Sequence, residues 1–327
     1  MDTPFLLSVI IPCYNCQDYI YECLQSVSSQ IDDSVEIIVI NDGSTDNSLK
    51  EIELFISENK NKSIKLITQT NQGVSAARNA GIDVCSGKYL AFLDGDDLWD
   101  STFWEKITPT LKLNDIDLIE FNAYRFYDDN KEKVTEVSIV STNETLTIDS
   151  ISNLRETFLK NEWFPWARVY KRFIFNTLRF PVGRHYEDIA LIPKTYLLSK
   201  KIKRMTDTLV LYRVRKNSIT NAPRKKDIDD IICAMGVFNE LINKKGKSEI
   251  ETIAPSVHQT YSLAKRISTK INGYCSFDEE QIHYIKKAVT PFSGTQKFSK
   301  RINLLFIREY CLIKKIKYQL RSDRTKV

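Results

Sequence analysis

No run of about 18 apolar residues occurs anywhere in the chain, which excludes an ordinary membrane-crossing helix. The start, Met1-Asp2-Thr3-Pro4, lacks the basic residues and apolar stretch of a signal peptide, so cytoplasmic residence is the expectation. Only three histidines are present, at 185, 258 and 283, and their spacing suits no metal cage. Seven cysteines are scattered, an odd number; Cys13-Tyr14-Asn15-Cys16 has redox-pair spacing, but no second pair completes a zinc site. Reduced, mostly buried thiols are expected. No Gly-x-Gly-x-x-Gly follows the first apolar run, and no Gly-x-x-x-x-Gly-Lys-Ser/Thr appears. Those absences argue against a dinucleotide oxidoreductase and a P-loop nucleotidase. Internal repeats and low-complexity tracts are missing as well.

What remains is an ordinary globular composition, 42% hydrophobic and 27% charged, over 327 residues, enough for one large core or two domains. The net charge of +5 conceals an asymmetry. Residues 1–224 hold 27 basic and 31 acidic residues; residues 225–327 hold 20 and 11, and from 286 onward the balance is 12 to 2. The two ends therefore face different partners.

The organising stretch is Lys88-Tyr89-Leu90-Ala91-Phe92-Leu93-Asp94-Gly95-Asp96-Asp97. Its apolar run predicts a strand buried on both faces, and at the C-terminal edge of such a strand an open α/β sheet holds its ligand. Three carboxylates about one glycine repel one another unless a cation or solvent takes up their charge. A hard divalent cation shared with phosphate oxygens would do so. The alternative is a solvated turn capping a helix over 98–111, with Asp97 or Asp100 as N-cap.

Three strand–helix units precede that cluster. Strands are expected at 8–12, 35–40 and 64–67, and helices at 19–30, after Asn41-Asp42-Gly43-Ser44-Thr45-Asp46, and at 74–85. This alternation predicts a parallel sheet with helices on both faces. Beyond 111 the pattern changes, with strands at 116–126 and 134–140 joined by a turn at 128–130, then a helix at 151–159. In Trp163-Phe164-Pro165-Trp166-Ala167-Arg168-Val169-Tyr170-Lys171 the aromatics serve either core packing or a sugar-stacking platform. Glu187 and Asp188 open a helix at 189–198 and, taken alone, read as ordinary capping acids. A strand at 209–213 runs into a basic cluster at 215–218, placed for a diphosphate or simply solvated. Helices are expected at 225–245, 249–272, 278–290 and 298–320, with breaks at Pro255 and Pro291 and a disordered tail at 321–327. In the last helix Ile302, Phe306, Tyr310, Ile313 and Leu320 share a face among lysines and arginines, suiting an anionic membrane surface or packing on the domain.

Taken together the motifs resemble glycosyltransferase family 2, enzymes of the GT-A fold, over about 1–220. Ser8-Val9-Ile10-Ile11-Pro12-Cys13-Tyr14-Asn15 looks like the family's opening strand, and Val39 through Asp46 like its second-strand motif. Asn71 through Gly81 looks like the third, Asp94-Gly95-Asp96-Asp97 is similar to the Asp-x-Asp element, and Glu187-Asp188 to the pair holding the catalytic base. The resemblance implies an α/β Rossmann-like sheet that binds a nucleotide sugar, with acceptor-side strands, and the C-terminal helical region read above lies outside it. The domains would be 1–222 (nucleotide-binding half 1–98, acceptor half 99–222) and, outside the resemblance, a basic helical 223–327 region suited to a membrane surface. Pro12, Tyr14 and Asp42 would hold the uridine, Asp42 accepting the uracil N–H. Arg78 would lie beside the nucleotide, Asp94 would contact ribose or donor sugar, and Asp96 would ligate Mn2+ or Mg2+. Asp188 would be the base, with Trp166, His185 and Glu187 on the acceptor side. The implied reaction is inverting transfer from a UDP-sugar to an undecaprenyl-diphosphate-linked saccharide of O-antigen or capsule, at the inner face of the cell membrane and without nucleic acid. A sugar nucleotidyltransferase, a glycosidase, and a non-catalytic polysaccharide- or membrane-binding protein are the alternatives.

Overall fold

The computed structural model describes residues 5–127, 133–215, 223–242, 246–295 and 306–324. These form two compact units: Met1–Asp149 with Trp163–Gly183 and Thr195–Arg215, and Ser150–Glu162 with Arg184–Lys194 and Lys216–Val327. The division does not fall at one point near 222, because two short segments of the expected first domain cluster with the helical region.

In the first unit β-branched runs set the strands β1 (Leu7–Cys13), β2 (Val35–Asn41) and β3 (Ser63–Thr68), an aromatic-rich apolar run sets β4 (Tyr89–Phe92), and α1 (Ile20–Ser28), α2 (Ser48–Glu58) and α3 (Val74–Val84) connect them. All four strands are parallel, in the order β3-β2-β1-β4. Alternate residues of β1 face opposite ways. Leu7, Val9 and Ile11 join Ile20, Leu24 and Val27 of α1 and Ile52 and Phe55 of α2 in one cluster. Ile10 faces α3, where a Cβ on Gly81 would stand 2.4 Å from its side chain. Helices therefore cover both faces, as the alternation predicts.

The rest of this sheet is mixed. It continues with β5 (Leu98–Trp99), α4 (Phe103–Leu113), β6 (Leu118–Phe126), β7 (Lys133–Val137), β8 (Glu144–Thr147), β9 (Arg168–Lys171) and β10 (Lys201–Arg213). Beyond β4 the order is β9-β6-β10-β5, with β7 on β6 and β8 on β10. β9 is antiparallel to both β4 and β6, and β10 is parallel to β6. Hence the C-terminal ends of β1, β2, β4 and β10 share one edge.

Several expectations change here. Leu98 and Trp99 pair with Leu211 and Val210, so α4 begins at Phe103 rather than 98. Its N-cap is Thr102; Asp97 and Asp100 do not cap it. β8 and β9 were not expected, being only four residues each and, in β9, set among aromatics that show no clear strand alternation. The expected turn at 128–130 lies outside the described residues, as do 216–218 of the basic cluster.

The second unit is helical where described: α5 (Arg155–Lys160), the start of α6 (Glu187–Leu198), α7 (Lys226–Met235), α8 (Val237–Glu240), α9 (Lys247–Asn272), α10 (Glu279–Val289) and α11 (Ile307–Arg324). Phe158 of α5 packs edge-on to Phe238 of α8 at 6.4 Å, and Ile231, Ile253, Val257, Ile285 and Phe292 are fully buried. Pro255 does not break α9, which runs through it. α10 opens on a capping box between Asp278 and Gln281 and ends just before Pro291. α11 continues to Arg324, so 321–324 are helical rather than the start of the expected tail; residues 298–305 and 325–327 lie outside the described residues.

Candidate active site

The edge formed by β1, β2, β4 and β10 carries most of the residues expected to bind a donor. After β2, the buried carboxylate of Asp42 gathers the loop that leads into α3. Its Oδ1 accepts from Gln69 Nε2 at 2.7 Å and from the Gln72 N–H at 3.0 Å, and its Oδ2 accepts from the Gly73 N–H at 2.8 Å. Gly43 makes that approach possible, because its φ is +69° and a Cβ there would stand 2.7 Å from Asn71 N. After β1, Tyr14 is 47% exposed. Asn15 adopts φ 51°, its N–H donates to Ser44 Oγ at 3.1 Å, and its Oδ1 accepts from the Thr45 N–H at 2.9 Å. The first two loops are thus stitched together.

β4 ends in the acidic cluster. Gly95 lies against β1, where a Cβ would come within 3.0 Å of the Pro12 carbonyl oxygen. Asp94 Oδ1 accepts from Arg78 Nη2 at 2.7 Å, and that guanidinium lies over Phe180 at 5.2 Å. Arg78 is only 3% exposed, so it bears on a ligand chiefly through Asp94. Asp96 Oδ2 lies 2.6 Å from Arg215 Nη2. Asp97 is fully buried; its Oδ1 accepts from the Arg213 N–H at 2.8 Å, while its Oδ2 has no hydrogen-bond partner. Burial, reinforced by Asp96 and Asp94, pushes the Asp97 carboxyl well above the usual range. Asp96 is also raised by burial, against the pull of Arg215.

Crowded carboxyls raised by burial and by one another's charge, with one orphaned oxygen among them, are an environment a cation would relieve, and the donors are hard oxygens. Among the described residues no three His, Cys, Asp or Glu side chains form a ready-made metal cage. The residues fit an ion held by one carboxylate and completed by phosphate oxygens rather than an all-protein site.

Sequence reading missed the arginine that frames this cluster. Arg213, at the end of β10, donates through Nε to the Asp96 carbonyl at 2.6 Å and through Nη2 to Glu22 at 2.9 Å. Its guanidinium also sits 4.8 Å from the Tyr19 ring centroid and 4.6 Å from that of Phe126. The available signal was two arginines at strand-alternating positions where a strand ends. Beside them Tyr212 has its hydroxyl pushed up to about 12 by burial and then by Asp97, Asp94 and Asp96. Trp166 stacks on Tyr212 at 5.4 Å and on Phe164 at 4.7 Å, and it is buried in the core cluster. Of the two readings of that aromatic stretch, Trp166 follows core packing. Cys13 and Cys16 are buried free thiols, and the hydrogen bond from Cys13, with burial, raises Cys16. A reactive thiolate is therefore not favoured.

His185, Glu187 and Asp188 belong to the second unit. Glu187 and Asp188 open α6, and Asp188 Oδ1 accepts from the Ile189 N–H at 2.7 Å. His185 Nδ1 lies 2.9 Å from Asp227 Oδ1, and the His185 N–H donates to Asp230 Oδ2 at 3.1 Å. Sequence reading did not single out Asp227 and Asp230, since acids early in a helix look like solvated or dipole-matching charge.

The family model for Glycosyl transferase family 2 matches residues 8–186. The glycosyltransferase GlyA of Streptococcus pneumoniae is 34% identical over 245 residues, 73% of this chain and 35% of GlyA. The uncharacterized glycosyltransferase EpsJ of Bacillus subtilis is 31% identical over 231 residues, 69% of this chain and 66% of EpsJ. The chain thus spans about a third of the one relative and just under two thirds of the other. Among solved structures, Staphylococcus aureus TarS 1–349 in complex with UDP-GlcNAc superposes with a TM-score of 0.69 at 19% identity, covering 95% of this chain and 88% of that one. The mannosyltransferase PcManGT of Pyrobaculum calidifontis, in complex with GDP-Man and Mn2+, gives 0.54 at 15% identity, covering 98% and 85%. These likenesses establish the fold.

Proposed function

The chain belongs to glycosyl transferase family 2, and on that premise we propose that it moves a hexose or N-acetylhexosamine from a UDP-sugar to a hydroxyl of a lipid-linked saccharide, with inversion, in bacterial O-antigen or capsule synthesis. The observation that carries the reading is the Asp94–Asp97 cluster at the C-terminal edge of β4, framed by Arg213 and Arg215. UDP as the donor nucleotide is supported by the UDP-GlcNAc and UDP complexes of TarS, and a divalent ion by the Mn2+ complex of PcManGT.

In this reading Tyr14, beside Pro12, covers the base, and Asp42 Oδ2, which carries one protein donor, accepts the uracil N–H. Asp94, aimed by Arg78, takes the ribose or sugar hydroxyls. Asp96 holds Mn2+ or Mg2+, which when bound offsets the charge developing on the departing diphosphate. Arg215, already at Asp96, is placed to share its charge with the phosphates. Asp188 removes the acceptor hydroxyl proton as that oxygen bonds to the anomeric carbon and UDP leaves with the electron pair. Glu187 and His185 orient Asp188 or the acceptor. A single displacement inverts the centre, so an α-linked donor yields a β-glycoside. Incubating a panel of UDP-sugars with an undecaprenyl-diphosphate saccharide should give one transferred sugar, abolished by EDTA and restored by Mn2+. Turnover with no UDP-sugar in the panel, under conditions where the protein is folded, would sink the proposal.

The acceptor lipid is supported by α11. Ile307 and Cys311 turn inward, whereas Phe306, Ile313, Ile316 and Leu320 are exposed on the other side of the helix among Lys314, Lys315 and Lys317. That pattern suits the surface of an anionic leaflet, with the enzyme peripheral on the cytoplasmic side. No described helix is long and apolar enough to cross a membrane. A buried isoleucine is worth about 1.5–3 kcal/mol, so Ile313→Glu should weaken flotation with phosphatidylglycerol vesicles about tenfold to a hundredfold. Equal flotation of both proteins would assign α11 to packing alone.

A further inference from the structure

We propose that Asp227 and Asp230 of α7, in the region beyond the family match, are positioning residues for the turn that presents Asp188, acting through His185. The inference rests on Asp188 being the base.

Tyr186 stands between His185 and the acidic pair with φ 59°, a left-handed conformation that a bulky side chain adopts at a cost of about 1–3 kcal/mol. Such a residue persists only where its neighbours hold it. Here the hold comes from α7. Asp230 fixes the His185 backbone through its N–H, and Asp227 fixes the His185 ring through Nδ1. Three residues apart, the two acids present one face of the helix. Both are about 1% exposed.

Burying two carboxylates is unfavourable unless each is compensated, and apolar residues would pack α7 more favourably. The compensation is local. Arg224 donates its N–H to Asp227 Oδ2 at 2.8 Å, and its Nε and Nη2 to Oδ1 at 3.1 and 3.0 Å. Arg184 Nη1 lies 3.7 Å from Asp230 Oδ1, an oxygen without a hydrogen bond. A carboxylate on Nδ1 also sets the imidazole tautomer and ring orientation. Cost and geometry together point to a device that stiffens Arg184–Asp188, the segment in which a small displacement would move the base.

The test compares full-length wild type, Asp227→Ala, Asp227→Asn and Asp188→Asn by melting curve, kcat, and KM for the UDP-sugar. Misplacing a reacting group by about 1 Å costs on the order of 10²-fold, so D227A should lose about that much kcat while KM for the donor stays within about twofold. A folded D227A with wild-type kcat overturns the proposal, as does one whose loss lies wholly in KM. If D227A shows no cooperative melting, D227N decides by the same criteria. D188N separates the premises: wild-type turnover there removes the base itself, whereas loss there with full turnover in the Asp227 variant removes only the positioning role.

Discussion

Asp188→Asn should lower kcat by about 10²–10⁴ while leaving affinity for UDP and the melting temperature near wild type. The expectation follows from what asparagine keeps and loses at this position. Its side-chain oxygen still accepts from the Ile189 N–H, so that local contact in the first turn of α6 is kept. The amide cannot take the acceptor proton, so the attacking oxygen would have to shed it to water. Asp42, Asp94 and Asp96 are untouched, so donor affinity has no reason to fall. Single-turnover transfer, UDP calorimetry and a melting curve on the same preparation check all three parts. A variant that turned over like wild type would leave Asp188 as a helix-capping acid.

Asp96→Asn should have the second large effect, a loss of at least about 10²-fold in kcat/KM, since Lewis-acid stabilisation of a developing charge is worth several kcal/mol and each 1.36 kcal/mol is tenfold. The variant should also lose its response to Mn2+. Asp97 has its carboxyl raised by burial and then by Asp96 and Asp94, and Asp96 has its own raised by burial and Asp94 against the pull of Arg215. The folded chain therefore holds protons there that the unfolded chain releases at ordinary carboxylate pH. Without metal, the contribution of these two groups to stability is full below the unfolded value and is lost as pH rises through the raised folded ones. A cation offsets that loss, so Mn2+ should raise the melting temperature of wild type more at pH 8 than at pH 5. In D96N the increment should be much smaller. An Mn2+ response in D96N equal to wild type would move the ion elsewhere.

How far the sequence carried is clearest at β4. Five apolar residues running into Asp94-Gly95-Asp96-Asp97 marked both a doubly covered strand and the edge where chemistry would sit, because polarity and charge change abruptly over three positions. The three preceding strand–helix units were legible for the same reason: their periodicities are local. What failed was non-local. Leu98 and Trp99 look helical until β10 supplies partners for their backbone. The capping role expected for Asp97 gave way to an Arg213 N–H 116 residues away. Arg213 itself read only as the last residue of a strand, since nothing nearby in sequence foretells Glu22 or the Asp96 carbonyl. Pro255 was expected to end a helix and does not, the helix around it being long enough to absorb one missing hydrogen bond. Asp227 and Asp230 were invisible for a further reason: their partner, His185, lies in a segment whose own motif drew attention to Glu187 and Asp188 instead.

The central claim is that Asp96 would hold a divalent ion whose charge helps this chain bind the diphosphate of a nucleotide sugar. Titration of UDP into wild-type protein, once with Mn2+ and once with EDTA, tests it most directly. The account predicts clear binding with the ion and little or none after chelation, with D96N resembling the chelated sample under both conditions. Equal UDP affinity in Mn2+ and in EDTA would contradict it.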